Sequence, residues 1–470
     1  MKNCILITLV VFACISARAG DKIKYYFNQP VDNSVSTGVN AVYLNNCIAD
    51  TLVAYLNRAK YSLDICVYEY SNDSIAPRIA EAVNNAYNRG VNVRWIYEGS
   101  NSNSGLTLLN SNIHTLPSPQ GGSYTIMHNK FVVIDGNSVD PGDAIVWTGC
   151  LNWYVQQFDW DYNNVVIIQD SALAHAYLGE FNMMWGGTGI APNLAASKFG
   201  SHKTDLGRHI FTIEGNTVEL YFSPSDGTET HIQSTIATAD TDMYFGMYTF
   251  TSTMDASLIM SKYNSGVYVA GLDDSWSNSY TPYSTFNSGL GANFKVYTET
   301  DTSLYHNKFL IVDPSNPCSD PTVLTGSHNW SISANTHNDE NTLIIHNDTA
   351  ANLFYQYFKA TFNSLGGTLA AKQGCPNTAV SVNAVDYSVK VYPNPSHGDI
   401  VVSYQLASPQ KITIEIYNIT GQKITTLIDS ALQLEGKYTC NYTLHTPGVY
   451  FVRMLGGDAS ITRKVLISGK

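Results

Sequence analysis

Two short stretches carry residue types at spacings that can do chemistry. One holds His128, Lys130 and Asp135, and the other holds His306, Lys308 and Asp313. Each is a His-x-Lys-x4-Asp element. In a strand, residues two apart face the same side, so each imidazole shares a face with an ammonium. If the two copies meet face to face, two imidazoles and two ammoniums surround one point. That grouping suits a phosphodiester. One imidazole attacks phosphorus and the other protonates the leaving oxygen. The ammoniums neutralise charge on the non-bridging oxygens. A single His-Asn-Lys would read as a surface strand, but a matched pair does not.

Residues downstream extend the grouping. Asn152 and Asn329 follow their histidines by 24 and 23 residues, and their amides can donate to the same phosphate oxygens. Ser327 can add a hydroxyl, and its counterpart Cys150 is a weaker donor. Trp153 and Trp330 read as packing or cleft walls. Glu340 follows His306 by 34 residues. Its carboxylate is expected to hold the far nitrogen of that ring and fix its tautomer. The aligned position in the first copy is Asn163. Either Asn163 orients His128 without a charge, or Asp161 reaches that ring. Asp135 and Asp313 are expected to cap turns or hold structure.

The elements that position these residues are themselves repeated. Strands 61–70 and 241–250 align. Each follows a helical pattern (41–59 and 231–239) and leads into another helix (75–88 and 254–263). Strands 91–97 and 267–270 come next, then the two motifs. A strand and helix close each copy: 165–169 with 171–185, and 342–346 with 350–362. Strands alternating with helices mean α/β units. The predicted fold class is α/β, with two tandem α/β/α sandwich halves in a pseudo-two-fold arrangement. The first half covers 21–190 and the second 210–374, with linkers at 191–209 and 375–388. The pattern then changes to short strands at 389–392, 400–406, 411–417, 448–455 and 460–467. This predicts a small C-terminal β-sandwich over 389–470.

The 470 residues are 44% hydrophobic and 14% charged, which excludes a disordered chain and a coiled coil. Residues 1–20 read as a signal peptide, with Lys2, an apolar run at 5–15, and Ala17 and Ala19 before the cut. Cys14 offers a looser lipoprotein alternative. The apolar run is too short to span a bilayer. Six cysteines remain: Cys47, Cys66, Cys150, Cys318, Cys375 and Cys440. None has metal-ligand spacing. Cys66 reads as buried packing, while Cys318 and Cys375 sit in polar loops and can pair. Residues 21–389 carry 16 basic and 33 acidic residues, a net of -17. That is a poor general polyanion binder.

With its doubled motif and Gly326-Ser327-His328-Asn329, the chain resembles the phospholipase D superfamily over about residues 25–370. The first half departs at Gly149-Cys150-Leu151-Asn152. The resemblance implies one active site at the junction of the two halves, each a central mixed sheet flanked by helices. It implies a covalent phosphohistidine intermediate, with no metal or other cofactor. By family pattern His128 is the nucleophile and His306 the general acid, although the residues alone do not fix that order. Residues 389–470, with Val391 to Pro395, Gly448 to Tyr450 and Arg463 to Leu466, resemble a type IX secretion sorting domain. That implies the type IX machinery as a partner and a secreted or cell-surface protein.

The stretch from Asn329 to Asn341 is similar to the bacterial endonuclease branch of the superfamily. The duplicated single chain is similar to secreted phospholipase D enzymes. The charge balance favours a phospholipid head group over DNA or RNA. Trp153, Tyr154 and Trp330 could stack on bases or rest on lipid. A non-catalytic binding module is the third reading. Two copies in one chain favour a monomer with an intramolecular pseudo-dimer.

Overall fold

The computed structural model describes residues 22–120, 124–298, 300, 303–369, 389–406, 408–419, 422–456 and 459–468. The expected signal segment 1–20 and the expected linker 375–388, with Cys375, lie outside them. Cys318 is disulfide-bonded. The chain divides into two compact units, Met1–Pro376 and Asn377–Lys470.

The first half of the larger unit runs β1 (Ile23–Phe27), α1 (Ile48–Leu56), β2 (Ser62–Val67), α2 (Ala76–Asn88), β3 (Asn92–Tyr97), β4 (His114–Pro117), β5 (Lys130–Ile134), β6 (Ile145–Gly149), β7 (Asn164–Ile168) and α3 (Ser171–Trp185). The second half runs β8 (Ile210–Ile213), β9 (Asn216–Ser223), α4 (Thr228–Ala237), β10 (Asp242–Met247), α5 (Thr253–Asn264), β11 (Tyr268–Asp274), α6 (Thr281–Gly289), β12 (Phe294–Tyr297), β13 (Lys308–Val312), β14 (Thr322–Gly326), α7 (Ile332–Thr336), β15 (Glu340–His346) and α8 (Asp348–Ser364).

The two sheets repeat one topology. The first is ordered β4-β3-β2-β5-β6-β7-β1, and the second β12-β11-β10-β13-β14-β15-β9-β8. In each, three strands are parallel and the motif strand joins them antiparallel. Both faces of the motif strands are covered, so β5 reads as the unbroken apolar run Phe131 to Ile134 after Lys130. α2 shows why its sequence is helical. Pro77 stands in the first turn, and Ile79, Ala80, Val83 and Ala86 form one buried stripe. α3 and α8 lie in a core shared by both halves, where Tyr177 meets Phe222 and Phe27 stacks on Tyr357 at 4.5 Å.

The expected helix at 41–59 is shorter. Residues 42–44 pair instead with the end of β1, through Phe27 N–H to Val42 O at 3.1 Å and Leu44 N–H to Phe27 O at 2.8 Å. The smaller unit holds β16 (Lys390–Tyr392), β17 (Asp399–Leu406), β18 (Gln410–Asn418), β19 (Lys423–Gln433), β20 (Gly436–Thr443), β21 (Gly448–Gly456) and β22 (Ala459–Ile467). They form sheets of three and four strands around one core that includes Val402, Ile414, Ile416 and Val452.

The motif aspartates are staples. Asp135, just past β5, accepts the backbone N–H groups of Lys60, Tyr61 and Ser62. Asp313, just past β13, accepts those of Asp240, Thr241 and Asp242. Both are buried and sit at positive φ (51° and 50°), a conformation that Asp and Asn tolerate better than most side chains. Each ties the end of the motif strand to the start of its neighbour. Asp135→Ala or Asp313→Ala should cost about 3 kcal/mol, because several amides lose a charged acceptor. The Asn variants should cost about half that. Calorimetric melting of the four variants checks both the loss and the ranking.

Candidate active site

His128 and His306 each stand two residues before their motif strand, at the same end of the two sheets. The residue before each is pinned by a carboxylate. Met127 N–H donates to Glu98 Oε2 at 2.6 Å, and Tyr305 N–H donates to Asp274 Oδ2 at 2.7 Å. Glu98 follows β3 and Asp274 ends β11, so the two occupy equivalent places. Both are buried. Neither was singled out from the sequence. Two acids at the ends of equivalent strands were the available signal.

The halves meet through these entry segments. Asp339 N–H donates to Ile126 O at 3.0 Å, and His128 N–H donates to Asp339 O at 2.9 Å. The mirrored contact is Tyr162 N–H to Leu304 O at 2.8 Å. This backbone pairing brings each orienting residue to the opposite half's ring. His128 Nδ1 lies 2.7 Å from Glu340 Oε2, and His306 Nδ1 lies 3.0 Å from Asn163 Oδ1. The expectation that Glu340 serves His306, and Asn163 or Asp161 serves His128, is therefore corrected. The alignment of the halves was right, but the partners cross. Asp161 accepts Leu304 N–H at 2.8 Å and the amides of Gln156 and Gln157, so it buttresses the approach to His306. Further crossed bonds close the junction. Asn164 Nδ2 donates to Asn307 Oδ1 at 3.0 Å, and Asn341 Nδ2 donates to Asn129 Oδ1 at 3.1 Å.

The lysines converge from both sides. Lys130 Nζ donates to His128 O at 2.6 Å, and Lys308 Nζ donates to His306 O at 2.8 Å. Burial pushes the two ammoniums down to about 7 and about 8, and Lys308 also lowers Lys130 by repulsion. Burial alone would raise Glu340. The His128 ring and its hydrogen bond outweigh it and hold the carboxyl at about 2. Burial pushes His128 down to about 4 against the pull of Glu340. At neutral pH this pair is a carboxylate accepting from a neutral imidazole. Burial, Lys308, Lys130 and then His128 drive His306 well below its ordinary value, and no carboxylate opposes them on its Nδ1. Both rings use Nδ1 for orientation, which leaves Nε2 as the nitrogen available for chemistry.

Tyr68 and Tyr248 wall the site. Each ring lies 5.0 Å from its half's imidazole, and Lys130 and Lys308 stand over their faces at 4.9 and 5.2 Å. Beyond Tyr248 lies exposed Trp276, its ring plane within 15° and its centroid at 6.4 Å.

Other expected site residues take different places. Ser327 Oγ donates to Glu340 Oε2 at 2.7 Å, so its hydroxyl steadies the carboxylate rather than standing free for a phosphate. Cys150 Sγ mirrors it against Asn163 Oδ1 at 3.1 Å. Gly149 and Gly326 make these turns at φ 156° and 150°, where a Cβ would overlap the carbonyl of Asn164 or Asn341. Asn152 is buried and Asn329 half-buried, and the side-chain oxygen of each has no partner among the described residues. Trp153 and Trp330 are fully buried and pack against Tyr70 and Phe250. They cannot receive a base or a lipid, while Tyr154 remains half-buried.

The stretch 191–209 supplies an unexpected bolt. Lys203 is fully buried, bound to Glu180, to Asp339 Oδ1 at 2.9 Å and to Ser223 O at 2.8 Å. It secures the residue next to Glu340.

A family model described as "Cardiolipin synthase, PLD-like domain" matches residues 52–185 and 232–362. A "Secretion system C-terminal sorting domain" model matches 390–468. The chain is 35% identical over 137 residues to the mitochondrial cardiolipin hydrolase of Xenopus tropicalis, which is 28% of this chain and 59% of that protein. Against the Homo sapiens protein it is 29% identical over 138 residues, 28% and 49% of the two chains. It thus spans about half to three fifths of the curated relatives it matches. The solved phosphatidylserine synthase of Haemophilus influenzae shares the fold across both halves, with a TM-score of 0.50, 14% identity, and coverage of 75% of this chain and 88% of that one. Matched in both halves over more than half of its length, the chain belongs to the PLD-like domain family, with two copies in one polypeptide followed by a secretion-system sorting domain.

Proposed function

We propose that the protein is an exported phosphodiesterase that removes a phospholipid head group through a phosphohistidine on His128. The observation that carries the reading is the unequal pair of orienting residues, Glu340 on His128 and Asn163 on His306. An imidazole bonded to phosphorus through Nε2 keeps its Nδ1 proton and becomes cationic. A carboxylate on Nδ1 stabilises that cation far more than a neutral amide does.

In the first step His128 Nε2 forms a bond to phosphorus, and the bond to the leaving oxygen breaks. Protonated His306 gives its Nε2 proton to that oxygen. Lys130 and Lys308 hold the non-bridging oxygens. In the second step His306 takes a proton from water, whose oxygen bonds phosphorus as the His128 bond breaks. His306 becomes proton-loaded when the diester anion offsets the two ammoniums.

If His306 serves the leaving oxygen, the leaving group lies beside Tyr248 and Trp276, with Tyr154 within electrostatic reach of Tyr248. Aromatic faces suit an ammonium head group. The net charge of -17 over residues 21–389 disfavours a nucleic acid. The likeness of residues 329–341 to the endonuclease branch supports the second reading, metal-independent cleavage of DNA or RNA. The sorting-domain match supports secretion or display at the cell surface.

His128→Ala and His306→Ala should each lower turnover of phosphatidylcholine by about 10³-fold or more, with wild-type activity intact in EDTA. With a p-nitrophenyl diester, which needs little acid help, His306→Ala should accumulate labelled phosphate on His128. Label on residue 306 in the reciprocal variant would reverse the roles. Greater turnover of single-stranded DNA than of phosphatidylcholine vesicles would select the second reading.

The pH profile should separate the orienting residues. The nucleophile must be neutral, so rate rises with pH through the pKa of His128. The acid must be charged, so rate falls with pH through that of His306. Asn163→Asp should move the alkaline limb up by about 1–2 units, and Glu340→Gln should move the acid limb down while lowering kcat. The lysines predict proton uptake. Inorganic phosphate should raise their depressed pKa values, so binding at pH 8 takes up protons. Calorimetry in two buffers of different ionisation enthalpy reads the number.

A further inference from the structure

The rim of the second half exposes more large apolar side chains than that of the first, where the loops after β2 and β3 expose none and the segment after β6 exposes Trp160. β10 and β11 are parallel, and β14 runs with them because β13 is antiparallel to both β10 and β14. The loops after β10, β11 and β14 therefore share the edge that bears His306 and Lys308. They are stitched together: Phe250 N–H donates to Ser277 Oγ at 3.1 Å, and Thr251 and Ser252 N–H donate to Trp330 O at 2.8 and 2.9 Å. From this base project Met254, Trp276, Tyr280 and Ile332, exposed by 59%, 52%, 39% and 70%. Residues 248–254, 275–280 and 327–332 include no Asp, Glu, Lys or Arg. The first half's loops 71–74 and 99–103 consist only of Ser, Asn, Asp and Gly.

We propose that this second-half rim is a docking face for a zwitterionic lipid surface, which seats the cleft mouth on its substrate. The inference rests on the phospholipid reading above. Trp and Tyr with aliphatic neighbours suit the boundary between head groups and acyl chains. A rim without cations offers a nucleic-acid backbone no phosphate partner. Continuity supports the same occupant. Trp276 lies against Tyr248, and Tyr248 lies against His306. No helix among the described residues is long and apolar enough to cross a membrane.

The test uses the full chain and the double variant Met254→Asp/Ile332→Asp. Wild type should sediment with phosphatidylcholine vesicles, with little response to salt or to added phosphatidylglycerol. The variant's partitioning and its hydrolysis of those vesicles should fall by about tenfold or more, as two apolar anchors are lost. Hydrolysis of soluble bis-p-nitrophenyl phosphate should be unchanged, which also shows that the variant is folded. Equal vesicle binding by variant and wild type would overturn the proposal. So would wild-type binding to single-stranded DNA, but not to vesicles, that the variant loses. Failure of wild type on the soluble diester would instead count against the catalytic reading, because sedimentation reads the rim independently.

Discussion

The site depends on an exchange across the junction, in which each imidazole is oriented by the opposite half. Backbone bonds between residues 126–128 and 338–340, and between 304 and 162, put Glu340 on His128 and Asn163 on His306. Glu98, Asp274 and Asp161 pin the same entry segments from behind. Lys203 fastens Asp339 from the side. The ring positions are thus set by packed elements rather than by free loops, as preorganised catalysis requires.

Burial gives this arrangement its electrostatic character. Two ammoniums and two imidazoles stand together in low dielectric, with one carboxylate, Glu340, in direct contact. Each cation is held in place by a carbonyl, which orients it without neutralising it. Against two ammoniums the group holds one anion, Glu340, and is short of a second. A bound diester would supply it at the point where charge develops during reaction, in a setting where charge–charge energies exceed those in water. Tyr68 and Tyr248 reinforce this by covering the lysines with ring faces instead of water.

Much of this is legible in the amino-acid sequence. The repeat exposed the α/β halves because both copies keep the same order of apolar strands and helices, and the sheets share one strand order. The doubled His-x-Lys motif marked the two segments that meet at the junction of the halves. What stayed hidden was three-dimensional. An alignment shows that Asn163 and Glu340 correspond, but not which ring each faces. Glu98 and Asp274 lie 30 and 32 residues before their histidines and share no motif with them. Lys203 sits in a stretch whose Gly and Pro content reads as a connector. In the C-terminal unit, β19 and β20 were missed because they are half-exposed and rich in polar residues, which blurs the alternation.

The crossed partners have a bearing on ancestry. In a symmetric dimer of identical chains, one codon would specify the residue on both rings, so the two histidines would share a single electrostatic environment. Joining two copies in tandem removes that tie. Here one copy keeps an acid and the other an amide, so the surroundings of the two rings could diverge by separate mutations. Because each lies in the half opposite the ring it serves, compensating changes should co-vary between halves rather than within them.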